Sequence, residues 1–122
     1  MAGLVHIQWY CSVGRKDHMA AEIAEVAPLA LRYGAWKYSV QRSQDDRYKI
    51  TQMAWFEEKN DWYRYWESPE MVEFRRRNSG RYQIPLTYVW YEELVTGELG
   101  PEVPLPAPPP EPEPVEPEAV AG

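Results

Sequence analysis

Alternation with a period of two opens the chain. In residues 4–13, LVHIQWYCSV, one face of an extended segment carries Leu4, His6, Gln8 and Tyr10, and the other, drier face carries Val5, Ile7, Trp9 and Cys11. Gly14-Arg15-Lys16-Asp17 then forms a turn in which Asp17 is placed to cap a helix. Over residues 18–33 the period changes, with Met19, Ile23, Val26 and Ala30 at helical spacing and Glu22, Glu25 and Arg32 mostly outside the stripe. Pro28 has no amide hydrogen and clashes with the carbonyl four residues earlier, so this helix is expected to kink or end near Ala27 and to close at Gly34.

Two more alternating runs follow. Residues 35–43 set Trp36, Tyr38 and Val40 against Lys37, Ser39 and Gln41. Residues 47–57 set Tyr48, Ile50, Gln52, Ala54 and Phe56 against Lys49, Thr51, Met53 and Trp55. The polar Gln44-Asp45-Asp46 between them reads as a hairpin turn. A helix then starts near Asp61, behind the capping types Asn60 and Asp61, with Trp62, Tyr65 and Trp66 on one face. Ser68-Pro69-Glu70 restarts it, Met71 and Phe74 point inward, and Gly80 follows the arginines 75–77 as a left-handed closing residue. Residues 82–94 supply a fourth strand, with Tyr82, Ile84, Leu86, Tyr88 and Trp90 on one side and Gln83, Pro85, Thr87, Val89 and Tyr91 on the other. Pro85 suits an edge or an irregular start.

The order β-α-β-β-α-β is the ferredoxin-like arrangement, an α+β fold whose four-stranded antiparallel sheet has helices on one face. Large side chains occupy both strand faces. A sheet covered on one side only needs a second cover for the other, and a homodimer supplies it.

Composition divides the chain. Residues 101–122 hold nine prolines and five glutamates with no aromatic or basic residue, so residues 97–122 are expected to form a disordered acidic tail and residues 1–96 the folded domain. The chain has 19 acids and 13 bases, and removing the five tail acids leaves 14 against 13. A near-neutral domain with an acidic tail does not favour nucleic acid. One cysteine, Cys11, excludes an internal disulfide, and the two histidines lack ligand spacing, so no metal is expected. With neither a leader pattern nor a long apolar run, no membrane contact and a cytoplasmic location are expected.

The stretches SQDDRYKITQMAWFE and DWYRYWESPEMVEF, with Gly80, Tyr82, Gln83 and Pro85 in a G-x-Y-Q-x-P pattern, resemble the dimeric α+β barrel proteins of the antibiotic-biosynthesis-monooxygenase-like type. The resemblance spans most of residues 4–94 and none of the tail. It implies two copies packed sheet to sheet, each with a cavity between sheet and helices. It also implies activities that range from cofactor-free oxygenation of aromatic compounds to haem degradation and isomerisation. Haem-degrading relatives place a ligating His after a Trp and a Ser. Here Trp66 and Ser68 fit, but PEMVEFRRR contains no His, so no haem and no other cofactor is expected.

A cofactor-independent oxygenase acting on an aromatic or polyketide-like molecule needs an apolar pocket with a few polar groups that bind and deprotonate a phenol. The candidates are His6 as base, Arg75 to hold an anionic oxygen, Gln8, Tyr38 and Gln52 as polar lining, and Trp62 and Trp66 as aromatic walls. The same residues have plain structural readings. Trp62 and Trp66 at helical spacing fill a core, His6 is a packed, hydrogen-bonded strand residue, and Arg75 to Arg77 oppose the negative end of a helix. The competing function is a non-catalytic dimeric module whose Pro108-Pro109-Pro110 and Glu-Pro repeats act as a stiff spacer or reach a partner.

Overall fold

The computed structural model of the chain describes residues 2–102 and 105–110. Strand β1 (Gly3–Tyr10) leads into helix α1 (Lys16–Val26), a 3-10 helix (Ala27–Tyr33), strands β2 (Ala35–Arg42) and β3 (Lys49–Phe56), helices α2 (Lys59–Trp66) and α3 (Pro69–Arg77), and strand β4 (Thr87–Glu92). The strands form one antiparallel sheet in the order β2-β3-β1-β4, the ferredoxin-like α+β arrangement.

Cross-strand partners share a face, so the register assigns every side chain to one side of the sheet. Ile7 pairs with Gln52 and Tyr88, and Val5 with Ala54 and Trp90; these rows face the helices. There Val5, Ile7, Trp9, Ile50, Ala54 and Phe56 are buried together with Met19 and Ile23 of α1, Trp62 and Tyr65 of α2, and Met71 and Phe74 of α3. The opposite face shows three rows: Lys37, Trp55, Leu4 and Tyr91; Ser39, Met53, His6 and Val89; Gln41, Thr51, Gln8 and Thr87. Each of these residues is half-buried or exposed. The face is thus graded, aromatic at one end and polar at the other.

Several boundaries differ from the pattern of the chain. Helix α1 starts at Lys16, so Asp17 lies in its first turn and pairs with Lys16 and Arg42 instead of capping. Helix α2 starts at Lys59, which puts Asn60 and Asp61 inside it, where the Asp61 charge still favours the positive helix end. Pro28 acts as expected: α1 stops at Val26 and the chain tightens into the 3-10 helix, which Gly34 closes at φ 100°. Trp36 does not share a face with Tyr38 and Val40, because the register with β3 slips between Ala35 and Lys37. That bulge turns Trp36 toward Trp55, at 6.2 Å between ring centroids. The ladder of β4 begins only at Thr87, after Pro85, and Tyr82 makes an isolated bridge to Cys11.

Residues 97–102 and 105–110 carry no helix or strand. The rest of the expected tail, residues 103–104 and 111–122, lies outside the described residues.

Candidate functional site

The break between α2 and α3 builds the candidate site. Ser68 caps α3 by accepting from the Met71 amide at 3.2 Å, and Pro69 takes the first helical position, where its missing N–H costs nothing. The chain therefore turns sharply, and Arg75 comes back against the end of α2. Its Nη1 donates to the Trp66 carbonyl at 2.8 Å, and its guanidinium carbon lies 4.0 Å from the Trp66 ring centroid. The Trp62 and Trp66 centroids are 5.1 Å apart, and Tyr88 of β4 lies 5.6 and 5.5 Å from them. Tyr88 is 47% exposed and Trp66 7%. The three rings and the guanidinium form a rim at the β4 edge in which Tyr88 carries the exposed surface and both indoles are buried.

Behind the rim the space is full. Trp9 packs 6.0 Å from Trp66, 5.5 Å from Phe74 and 5.0 Å from Tyr82. Its Nε1 donates to Gln52 Oε1 at 3.0 Å, Gln52 Nε2 donates to the Tyr65 hydroxyl at 2.9 Å, and that hydroxyl donates to the Val26 carbonyl at 3.0 Å. An indole N–H only donates and a carbonyl only accepts, so the direction of the whole relay is fixed. Trp9, Gln52, Tyr65 and Phe74 have no accessible area. Side chains without accessible area line no water-sized space, so here the interior between sheet and helices is occupied by the chain itself.

The electrostatics follow from this packing. Burial pushes the Tyr65 phenol far above its usual range, against weaker downward pulls from the Gln52 bond and the Arg75 charge. Burial also raises Tyr82, again opposed by Arg75. Burial raises the Cys11 thiol, which makes it a poor nucleophile. Arg76 is engaged by Glu73 at 2.6 and 2.7 Å and Arg77 by Glu22 at 2.8 Å, whereas Arg75 faces the rim with the Glu67 carboxylate 3.9 Å from its Nη2.

The structure brings Trp62, Trp66 and Arg75 together and separates the other candidates. Gln52 sits behind the rim, its polar atoms taken by Trp9 and Tyr65, which corrects its reading as substrate lining. Tyr38 pairs with Ala54 at the β2 edge, three strand spacings or about 14 Å from β4. His6 and Gln8 lie on the opposite face of the sheet, because the helices cover the Val5 and Ile7 side; within one chain, His6 cannot serve as base for a molecule held on the rim. Gln8 donates to the Trp9 and Ile50 carbonyls at 3.2 Å. The His6 ring meets the Tyr91 ring edge-on at 6.1 Å, and its imidazole has no hydrogen-bond partner among the described residues, so the side chain is packed but not hydrogen-bonded as anticipated. Tyr88 completes the rim and was not among the candidates; alternation grouped it with Trp90 on one side of the strand, and the register puts that side under the helices.

Among the described residues no three His, Cys, Asp or Glu side chains are placed to hold a metal, and no helix is long and apolar enough to cross a membrane.

No protein-family model and no curated protein matches this sequence. Solved structures do match its fold. A proposed antibiotic biosynthesis monooxygenase from Nitrosomonas europaea superposes with a TM-score of 0.70 at 13% identity, over 76% of this chain and 90% of that one. A mutant of SnoaB, a cofactor-independent oxygenase from Streptomyces nogalater, gives 0.67 at 11% identity, over 78% and 95%. Rv0793 from Mycobacterium tuberculosis gives 0.70 at 11% identity, over 80% and 100%. The chain therefore has the fold of antibiotic-biosynthesis-monooxygenase-like proteins, and identities this low speak to fold alone.

Proposed function

We propose that the protein works as a homodimer that holds a planar aromatic, polyketide-like molecule at the rim of Trp62, Trp66, Tyr88 and Arg75 and oxygenates it without a cofactor. The observation that carries this reading is the Arg75 guanidinium 4.0 Å over Trp66, beside a half-exposed Tyr88. The charge of Arg75 pulls the phenols of Tyr65 and Tyr82 toward ionisation, against their burial. A phenolic hydroxyl stacked on the rim feels the same field, so water can take its proton. The electron-rich phenolate adds oxygen at a ring carbon, and the resulting hydroperoxide loses water to leave a carbonyl, so the substrate itself is the reductant and the second oxygen atom leaves as water. The half-exposed Tyr88 supplies the stacking surface, with the buried indoles of Trp62 and Trp66 behind it. The likeness in fold to SnoaB supports the same reaction class.

A second reading has its own support. The filled interior behind the rim favours a non-catalytic dimeric module whose proline- and glutamate-rich tail is a spacer or finds a partner. Oxygen consumption with hydroxynaphthalenes and anthrones separates the two. Uptake by the wild type that falls about tenfold or more in Arg75→Gln supports the oxygenase. No uptake across the series, with the dimer intact, leaves the module.

A further inference from the structure

The sheet face away from the helices has a concavity of its own. The bulge at the start of β2 places two successive side chains, Trp36 and Lys37, on that face. Lys37 Nζ stands 4.6 Å over the Trp55 ring, and Trp36 lies beside the same ring. Strand β4 is at the other edge of the sheet and ends at Glu92, in one cross-sheet row with Gly3, Phe56 and Ala35. From there residues 93–98 run back along this end of the sheet to β2. Thr96, Gly97 and Glu98 line, with Trp36 and Lys37, a cavity of about 710 Å³ that is half open to solvent. That volume is within the range of small-molecule sites.

Three features give the cavity a chemistry. Trp36 is 51% exposed, a large indole surface held in place by its neighbour Trp55. The Lys37 ammonium has no ion-pair or hydrogen-bond partner among the described residues, and neither has the Glu98 carboxylate. The two charges line one cavity without pairing with each other. An aromatic anion would satisfy Lys37 and be repelled by Glu98; an aromatic cation would do the reverse. A molecule that carries both charges on an aromatic body meets all three groups at once.

We propose that this cavity binds an aromatic zwitterion of about the size of an aromatic α-amino acid. The ring lies on Trp36, an anionic group accepts from Lys37, and an ammonium donates to Glu98. The site is separate from the Trp66 rim, but it lies at the β2 edge of the face through which the proposed homodimer pairs, so it requires a pairing that leaves that edge open.

The test uses the full-length protein, titrated calorimetrically with L-tryptophan, indole-3-acetate and tryptamine as probes. L-Tryptophan is expected to bind more tightly than either singly charged probe. Trp36→Ala is expected to weaken all three about tenfold or more. Lys37→Gln should erase the advantage of L-tryptophan over tryptamine, and Glu98→Gln its advantage over indole-3-acetate. Trp66→Ala should leave all three unchanged. These two charge-removing variants touch only surface side chains, so they decide the matter even if Trp36→Ala fails to fold. Absence of binding up to about 10 mM overturns the proposal, as it would if pairing of two copies sealed the cavity. Affinity that survives Trp36→Ala, or that disappears with Trp66→Ala instead, overturns it as well.

Discussion

Replacing Gln52 by leucine would strand the Trp9 indole N–H in a core where it has no other acceptor. Gln52 Oε1 is its partner at 3.0 Å, and both side chains have no accessible area. An orphaned buried donor costs about 1–3 kcal/mol, so Gln52→Leu should lose that much in urea unfolding despite its gain in apolar character. The next member of the relay sets a pH dependence. Tyr65 has its phenol pKa raised by burial, so the folded state favours the protonated form. The stability this contributes is complete below the unfolded-state phenol pKa of about 10 and is lost as pH rises beyond it. Unfolding free energy should therefore fall between about pH 9 and pH 11, and less steeply in Tyr65→Phe. Tyr10 and Tyr82 are raised too, so the difference between wild type and variant is the quantity to read. An identical slope in both proteins would remove Tyr65 from the account. Strand alternation already put Gln52 in the stripe of Ile50, Ala54 and Phe56. Its pairing with Trp9, 43 residues away in the chain, depends on strand register, which local pattern does not carry.

At the scale of elements, β4 is held to β1 by a close approach at Gly3. A Cβ there would come within 2.6 Å of Trp90 Cζ2 and press on the Tyr91 carbonyl oxygen. The carbonyl belongs to the paired strand and cannot rotate away, so β4 must shift. Gly3→Ala is expected to cost about 1–3 kcal/mol and to speed amide hydrogen exchange selectively in Thr87–Glu92. Unchanged exchange in β4 would mean that the strand end gives way more easily than the geometry requires. Elements defined by strong local chemistry were legible in advance: the Pro28 break, the Ser68-Pro69 restart, and the Trp62, Tyr65 and Trp66 stripe. Those decided by pairing were not. The slip between Ala35 and Lys37 has no glycine or proline to announce it, yet it moves Trp36 to the other face and creates the cavity beside Glu98. The candidate site divided for a related reason: His6 and Trp62 belong to opposite sides of one sheet, and which side the helices take is a tertiary decision.

For the whole molecule, the question is whether the uncovered face is large enough to hold two copies together. A sheet four strands wide at about 4.8 Å spacing and about seven residues long presents roughly 450 Å² in flat projection. A stable pair needs about 600–1,000 Å² of accessible surface from each partner. Side-chain relief closes most of that gap, and the exposed Leu94 and Val95 just beyond β4 can supply the remainder. The bulky residues on both strand faces were visible in the sequence, whereas the gradient from Trp55 and Leu4 to Thr51 and Gln8 emerged only from the register. Met53 pairs with His6 in the middle row, so a cation introduced at Met53 would be buried at the centre of any sheet-to-sheet contact, with no acid in its own row to pair with. Burying such a charge costs several kcal/mol per copy, about 3–5 when a buried ion lacks its counterpart. Wild-type protein should therefore sediment at twice the 14.3 kDa chain mass at micromolar concentration, and Met53→Lys at the single-chain mass with its circular dichroism unchanged. If the wild type also sediments as one copy, Leu4, Met53, Trp55 and Val89 remain exposed to water without a partner copy, and the homodimer loses its physical basis.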